Sequence, residues 1–192
     1  MKNELSLEES FKNKFPEINK LVTNIFQEQS DDFYEWLRDV IYPDISEKKP
    51  RILVLQSIHQ GVGKSTLIDL IKRLMGYDMK VLNPVDLHAD FNGHITNKLI
   101  SIDGFDFKRK NDVEHLVLQH SAAVARLNEK NMPSALIRVR LNFIVTSNNV
   151  PILRKSRFWL VNIPNVNDKE MADTSKFNHE LKDFTTFLRI VL

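Results

Sequence analysis

The chain contains no cysteine. That excludes a disulfide framework, a thiolate metal site and a cysteine nucleophile. It also lacks a strong charge imbalance, because 27 Lys and Arg stand against 25 Asp and Glu, a formal net charge of +2. So small an excess does not argue for a polyanionic partner by itself, and any nucleic-acid contact has to come from local patches. No apolar run approaches the ~18 residues that a membrane helix needs. The opening stretch, Met1 to Ser10, is polar and acidic and unlike a secretory leader. There is no internal repeat and no low-complexity tract. What remains is a 192-residue chain, 42% apolar and 27% charged, as in an ordinary soluble globule. It is long enough to bury a core without covalent staples. The expectation is a cytoplasmic protein with no membrane partner.

The first 48 residues read as a helical segment. Ser6 and Glu9 have capping-box spacing. Pro16 suits a first helical turn, and Ile18, Leu21, Val22, Ile25 and Phe26 follow helical periodicity. Asp31 and Asp32 are placed to cap a further helix carrying Phe33, Trp36, Leu37, Val40 and Ile41, which Pro43 ends. Glu47 to Pro50 reads as a short linker. From residue 49 the period changes, and residues 49–192 form the second expected unit. Strands are expected at Ile52–Leu55, Met79–Leu82, Leu99–Ile102, Asn142–Thr146 and Phe158–Val161. Helices are expected after the first strand as far as Gly76, from Asp112 to about Leu127, and from Asn178 to Leu192. Strands alternating with helices predict an α/β fold with a mainly parallel five-stranded sheet flanked by helices.

The strongest chemical signal is the run Gln60-Gly61-Val62-Gly63-Lys64-Ser65-Thr66, with a strand leading in and a helix leading out. That is the setting a phosphate-binding P-loop requires. Its glycines let backbone N–H groups close around phosphate oxygens, and the helix N-terminus adds partial positive charge. Lys64 is the candidate contact for the β- and γ-phosphates of ATP, and the Ser65 hydroxyl the candidate ligand for Mg²⁺. The pattern departs from the full motif at Ile58, where a glycine is usual. Asp103, ending the apolar run Leu99–Ile102, is the candidate carboxylate that holds Mg²⁺. A Glu often follows directly to polarise water, but residue 104 is Gly, which leaves Asp106 as the nearest substitute. Asn148, after the strand Asn142–Thr146, can orient an attacking water. Arg157, before the strand Phe158–Val161, can reach a phosphate in a neighbouring subunit, with Arg154 as the alternative.

These motifs, in this order, resemble those of superfamily-three helicases, which are AAA+ ATPases. The chain is most similar to the virulence-associated protein E family of phages and mobile elements. Gln60 to Thr66 match that family's P-loop apart from its first glycine, and Asp103 and Asp106 match its two acidic residues three apart. Thr146, Ser147 and Asn148 match its third motif, and Arg157, Phe158 and Trp159 its fourth, with Ser156 in place of a leading Arg. Arg126 is the best match for an Arg between the second and third motifs. The resemblance spans about residues 31 to 165. It implies a P-loop ATPase of the AAA+ type, using ATP and Mg²⁺, assembled as a homo-oligomeric ring on single-stranded or forked DNA, in the cytoplasm of a bacterial host cell. A partner replication protein is also implied as an option. A hairpin before the third motif is expected within Asn128–Arg140, with Lys130, Arg138 and Arg140 as candidate DNA phosphate contacts. Lys108 to Lys110 form a second basic cluster.

Two other classes of function stay open on the same residues. One is an ATP-dependent adaptor or helicase loader that remodels a partner. The other is a nucleotide-binding module that has lost turnover, which Ile58 and the missing Glu at 104 would suit. His88, Asp90 and His94 lie close together, but none of the zinc spacings fits, and a solvated loop is expected there.

Overall fold

The computed structural model describes residues 13–46, 48–150, 156–165 and 171–191. Its frame is a five-stranded parallel sheet: β1 (Ile52–Gln56), β2 (Met79–Leu82), β3 (Leu99–Ile102), β6 (Asn142–Ser147) and β7 (Phe158–Asn162), in the spatial order β2-β3-β6-β1-β7. All five expected strands are there. Val54 stands opposite Val145 of β6 on one side and Leu160 of β7 on the other. β1 and β6 are buried almost throughout, which is why they read as continuous apolar runs rather than alternating ones.

The period of two reappears in where those side chains go. Leu53, Leu55, Ile144, Trp159 and Val161 join one apolar cluster. Ile52, Val54, Phe143, Val145 and Phe158 join the other. Helices α1 (Pro16–Phe26), α2 (Ser30–Ile41), α3 (Lys64–Met75) and α5 (Phe177–Val191) cover the first face, and α4 (Lys110–Ser121) the second. The N-terminal helices therefore share one core with the sheet. Trp159 Nε1 donates to Gln29 Oε1 at 2.8 Å, and Trp36 Nε1 to Arg51 O at 2.8 Å. Glu180 of α5 accepts from the backbone N–H groups of Glu17 and Ile18 at 3.0 and 2.9 Å, satisfying donors that the first turn of α1 leaves open.

Three expectations need correction. α2 starts at Ser30, with Gln29 at the cap position. Asp31 and Asp32 stand inside its first turn, where their negative charge complements the positive end of the helix dipole. α4 ends at Ser121 and does not run on to Leu127. Ala122 is extended, and β4 (Val124–Leu127) pairs antiparallel with β5 (Ala135–Arg138). Val124 fits the helical spacing of Val113, Leu116 and Val117. Yet Val124 and Arg126 are exposed while Ala125 and Leu127 pack inward, which is strand alternation. The segment holding His88 and His94 is not simply a solvated loop, since His94 is buried. The Ser6–Glu9 capping pattern lies outside the described residues. Among the described residues, no helix is long and apolar enough to cross a membrane.

Candidate functional site

The carboxyl ends of β1, β3 and β6 meet because β6 lies between the other two. After β1 the chain turns through residues 57–63 into α3. Ser57 N donates to Ser147 O at 3.2 Å, tying the start of this loop to the end of β6. His59 N donates to the Ser57 hydroxyl at 3.1 Å. Lys64 Nζ, half-buried, donates to Ser57 O at 3.2 Å and His59 O at 3.4 Å, so the ammonium closes the loop from within. Burial pushes its pKa down, and the negative charge of Asp103 works in the opposite direction. Two residues far apart in sequence are thus near enough for their charges to interact.

Gly63 has φ +92°, the left-handed region, and caps α3. A Cβ placed on it would lie 3.3 Å from Leu21 Cδ1 and 3.4 Å from Ile25 Cδ1. Val62 beside it is buried in the same cluster as α1. The loop therefore rests on the N-terminal helix. Gln60, Gly61 and Ser65 are exposed, and Thr66 is half-buried in the first turn of α3. Ile58 is exposed and outside the positive-φ set, so this loop has no steric need of a glycine there.

Asp103 follows β3 and is exposed. Its Oδ1 accepts from the Thr146 hydroxyl, which in turn accepts from Gly104 N at 3.0 Å, while Thr146 O accepts from Phe105 N at 2.9 Å. Gly104 has φ +68°, a conformation a Glu would adopt only under strain, which accounts for the glycine at that position. Asp106 is engaged in its own turn. Its Oδ1 accepts from Lys108 N at 3.0 Å, and its Oδ2 is 3.7 Å from Arg109 Nε. Asn148 is exposed just past β6, inside a turn in which Asn149 N donates to the Ser147 hydroxyl at 3.3 Å.

The remaining candidates stand elsewhere. Arg157 is at the amino end of β7, where its carbonyl accepts from Ile52 N at 2.9 Å and its guanidinium donates to the Ser121 hydroxyl. Arg154 lies outside the described residues. Lys130 is exposed in the turn between β4 and β5, and Arg138 is exposed at the end of β5. Arg140 is past the strand and donates to Ser46 O at 3.0 Å. Arg126 lies on β4 opposite Leu136, exposed. Lys108, Arg109 and Lys110 are exposed at the start of α4.

Sequence reading alone left three features unseen. One is Thr146 as the partner of Asp103, since a Thr ending a buried strand carries no mark of where its hydroxyl points. The second is the group at the amino edge of the sheet, where Lys49 donates to His120 O and His120 Nε2 lies 2.9 Å from Pro50 O. The third is a chain of polar contacts running from Asp112 through His88, His115 and Gln119 to His94.

The sheet and its corner define a parallel α/β protein with a glycine-bearing loop, a lysine and an aspartate gathered at one edge. The chain belongs to a family of unknown function, DUF5906, whose profile matches residues 55–157. That span begins in β1 and ends just before β7, so it holds the loop, Asp103 and Asn148. No curated protein matches the chain. Among solved structures, the apo C-terminal region of NrS-1 (residues 305–718) shares 21% identity with it at a TM-score of 0.72, over 91% of this chain and 44% of that one. An A-form apo structure of the same region gives 22% identity and a TM-score of 0.73, over 92% and 44%. The likeness is one of fold, and this chain spans less than half the length of those structures.

Proposed function

We propose that the chain is the ATP-hydrolysing core of a replication motor of the superfamily-three helicase type, nearest in motif order to the virulence-associated protein E family, acting on DNA for a phage or mobile element. One observation carries the reading. Through β6, the loop holding Lys64 and the carboxylate of Asp103 are fixed to a single strand end, with Asn148 directly beyond it. A glycine-bearing strand-to-helix loop, a lysine folded into it and a carboxylate held opposite are the parts that phosphoryl transfer uses.

In this reading Lys64 exchanges its two loop carbonyls for phosphate oxygens. The N–H groups of the loop and of the first turn of α3 supply further donors. The Ser65 hydroxyl and the Asp103 carboxylate are exposed, hard oxygen donors of the kind Mg²⁺ takes. When bound, Mg²⁺ would neutralise charge developing on the phosphates. Asn148 orients water, and Arg157 of a second copy in a ring supplies the remaining positive charge. Lys130 and Arg138 on the β4–β5 hairpin meet DNA phosphates.

The deciding measurement is ATP turnover with and without single-stranded DNA. Hydrolysis is expected, raised by DNA, and Lys64→Ala should abolish it while the circular dichroism spectrum is unchanged. Parental turnover in Lys64→Ala would overturn the reading. A second reading, a binding module or an adaptor that remodels a partner replication protein, is favoured by Gly104 and by the engagement of Asp106 in its own turn. Nucleotide binding without turnover would support the module. Turnover without strand displacement on a forked duplex would support the adaptor.

A further inference from the structure

We infer that Thr146 is the positioning residue of the Mg²⁺ site, and that it acts through its hydroxyl on Asp103. The inference rests on the nucleotide-binding reading above. A threonine hydroxyl has one proton and two lone pairs. Gly104 N–H points into the Thr146 oxygen at 3.0 Å and can only donate. The single hydroxyl proton therefore goes to Asp103 Oδ1. Thr146 is itself 2% exposed, so its hydroxyl is turned away from bulk water.

Among the described residues, this hydroxyl is the sole hydrogen-bond partner of the Asp103 carboxylate. One carboxylate oxygen is anchored and the other is left for a ligand. The next residue, Ser147, holds the phosphate loop by accepting from Ser57 N at 3.2 Å. Two successive residues of β6 thus set the spacing between the loop and the carboxylate. With its proton committed, Thr146 cannot also donate to water or to phosphate. That role falls to Asn148, which is exposed beyond it.

The test compares wild type with Thr146→Val and Thr146→Ser in a titration of Mg²⁺ into protein holding a fluorescent ATP analogue, alongside thermal unfolding of each free protein. Thr146→Val is expected to bind the analogue without metal as wild type does, while its half-saturating Mg²⁺ rises ~10-fold or more, as when other partners of a metal-holding side chain are removed. Thr146→Ser should restore the wild-type value. A Val variant with the wild-type Mg²⁺ response overturns the inference. So does a Ser variant as impaired as Val, since keeping the hydroxyl would then not be enough to keep the Mg²⁺ response. If Thr146→Val does not unfold cooperatively, Thr146→Ala is compared in the wild-type and Asp103→Ala backgrounds. An effect on Mg²⁺ that persists without Asp103 overturns the inference, and one that vanishes supports it. A wild-type protein with no Mg²⁺-dependent nucleotide binding would instead remove the nucleotide reading itself.

Discussion

Gly61 and Gly63 both lie at positive φ, +73° and +92°, yet they answer to different constraints. Around Gly61 a Cβ would meet nothing within 4 Å, whereas at Gly63 it would press on Leu21 and Ile25. Gly61→Ala should therefore cost only the backbone term, ~1–2 kcal/mol for a left-handed alanine. Gly63→Ala should cost that plus the displacement of α1, and should also weaken nucleotide binding by shifting the loop. Urea denaturation of the two variants decides it, and equal costs would mean that α1 gives way freely and does not support the loop. The loop's motif was legible in sequence because glycine, lysine and hydroxyl occur at a spacing that strand and helix frame. Its dependence on Leu21 and Ile25 was not, because those two residues read equally well as ordinary core of a separate helix.

At the scale of elements, the five sheet strands were legible because each is a short apolar run bounded by polar turns. The β4–β5 hairpin was legible only in its second half. Val124 fell on the helical stripe of α4, and the alternation that marks β4 lasts just four residues. The hairpin carries a prediction under the DNA reading. Lys130→Ala and Arg138→Ala should each weaken binding on all sequences alike and lower the salt slope by ~0.7–0.9, one phosphate contact apiece. Arg140→Ala should leave the slope unchanged, because its guanidinium is held by Ser46 O. Binding measured across a salt series checks both, and an unaltered slope in the Lys130 and Arg138 variants would move the interface to Lys108–Lys110. The junction of α4 with the chain before β1 carries another prediction. Burial first, then the charges of Lys49 and Arg157, push the His120 pKa down from 6.5 to about 4 against the pull of the Pro50 carbonyl. A histidine depressed in the folded state is protonated more readily when unfolded. The contribution of His120 to stability is therefore constant above pH ~6.5 and is lost as pH drops from there toward 4. His120→Gln should show a smaller fall in denaturation midpoint between pH 7 and 5. Part of the fall should remain, because His94 and His115 are shifted down by burial as well.

Across the whole molecule, the two ends of the sheet carry different parts of the proposed chemistry. β1 and β7 run parallel, with Ile52 opposite Phe158 and Gln56 opposite Asn162. Arg157 thus stands at the amino edge and the loop holding Lys64 at the carboxyl edge, roughly 17 Å apart at ~3.3 Å per residue. An arginine side chain does not bridge that span, so Arg157 cannot serve its own loop. If it serves catalysis it does so across an interface, with its guanidinium leaving the Ser121 hydroxyl for a neighbour's phosphate. An arginine supplied in this way stabilises the transferring phosphoryl group by ~10³ or more in rate. Arg157→Ala should accordingly bind ATP as wild type does and hydrolyse it poorly. Lys64→Ala should be inactive for a different reason, lacking its own loop charge while still offering an intact arginine to a neighbour. Mixed together, the two inactive proteins should recover part of the activity, since some interfaces then join an intact loop to an intact Arg157. The recovery should grow with total protein concentration, as expected for an assembled site. Co-assembly shown by native mass without any rescue would argue against a shared site. A monomer that hydrolyses ATP at the full rate would exclude one, leaving Arg157 as the residue that holds Ser121 at the end of α4.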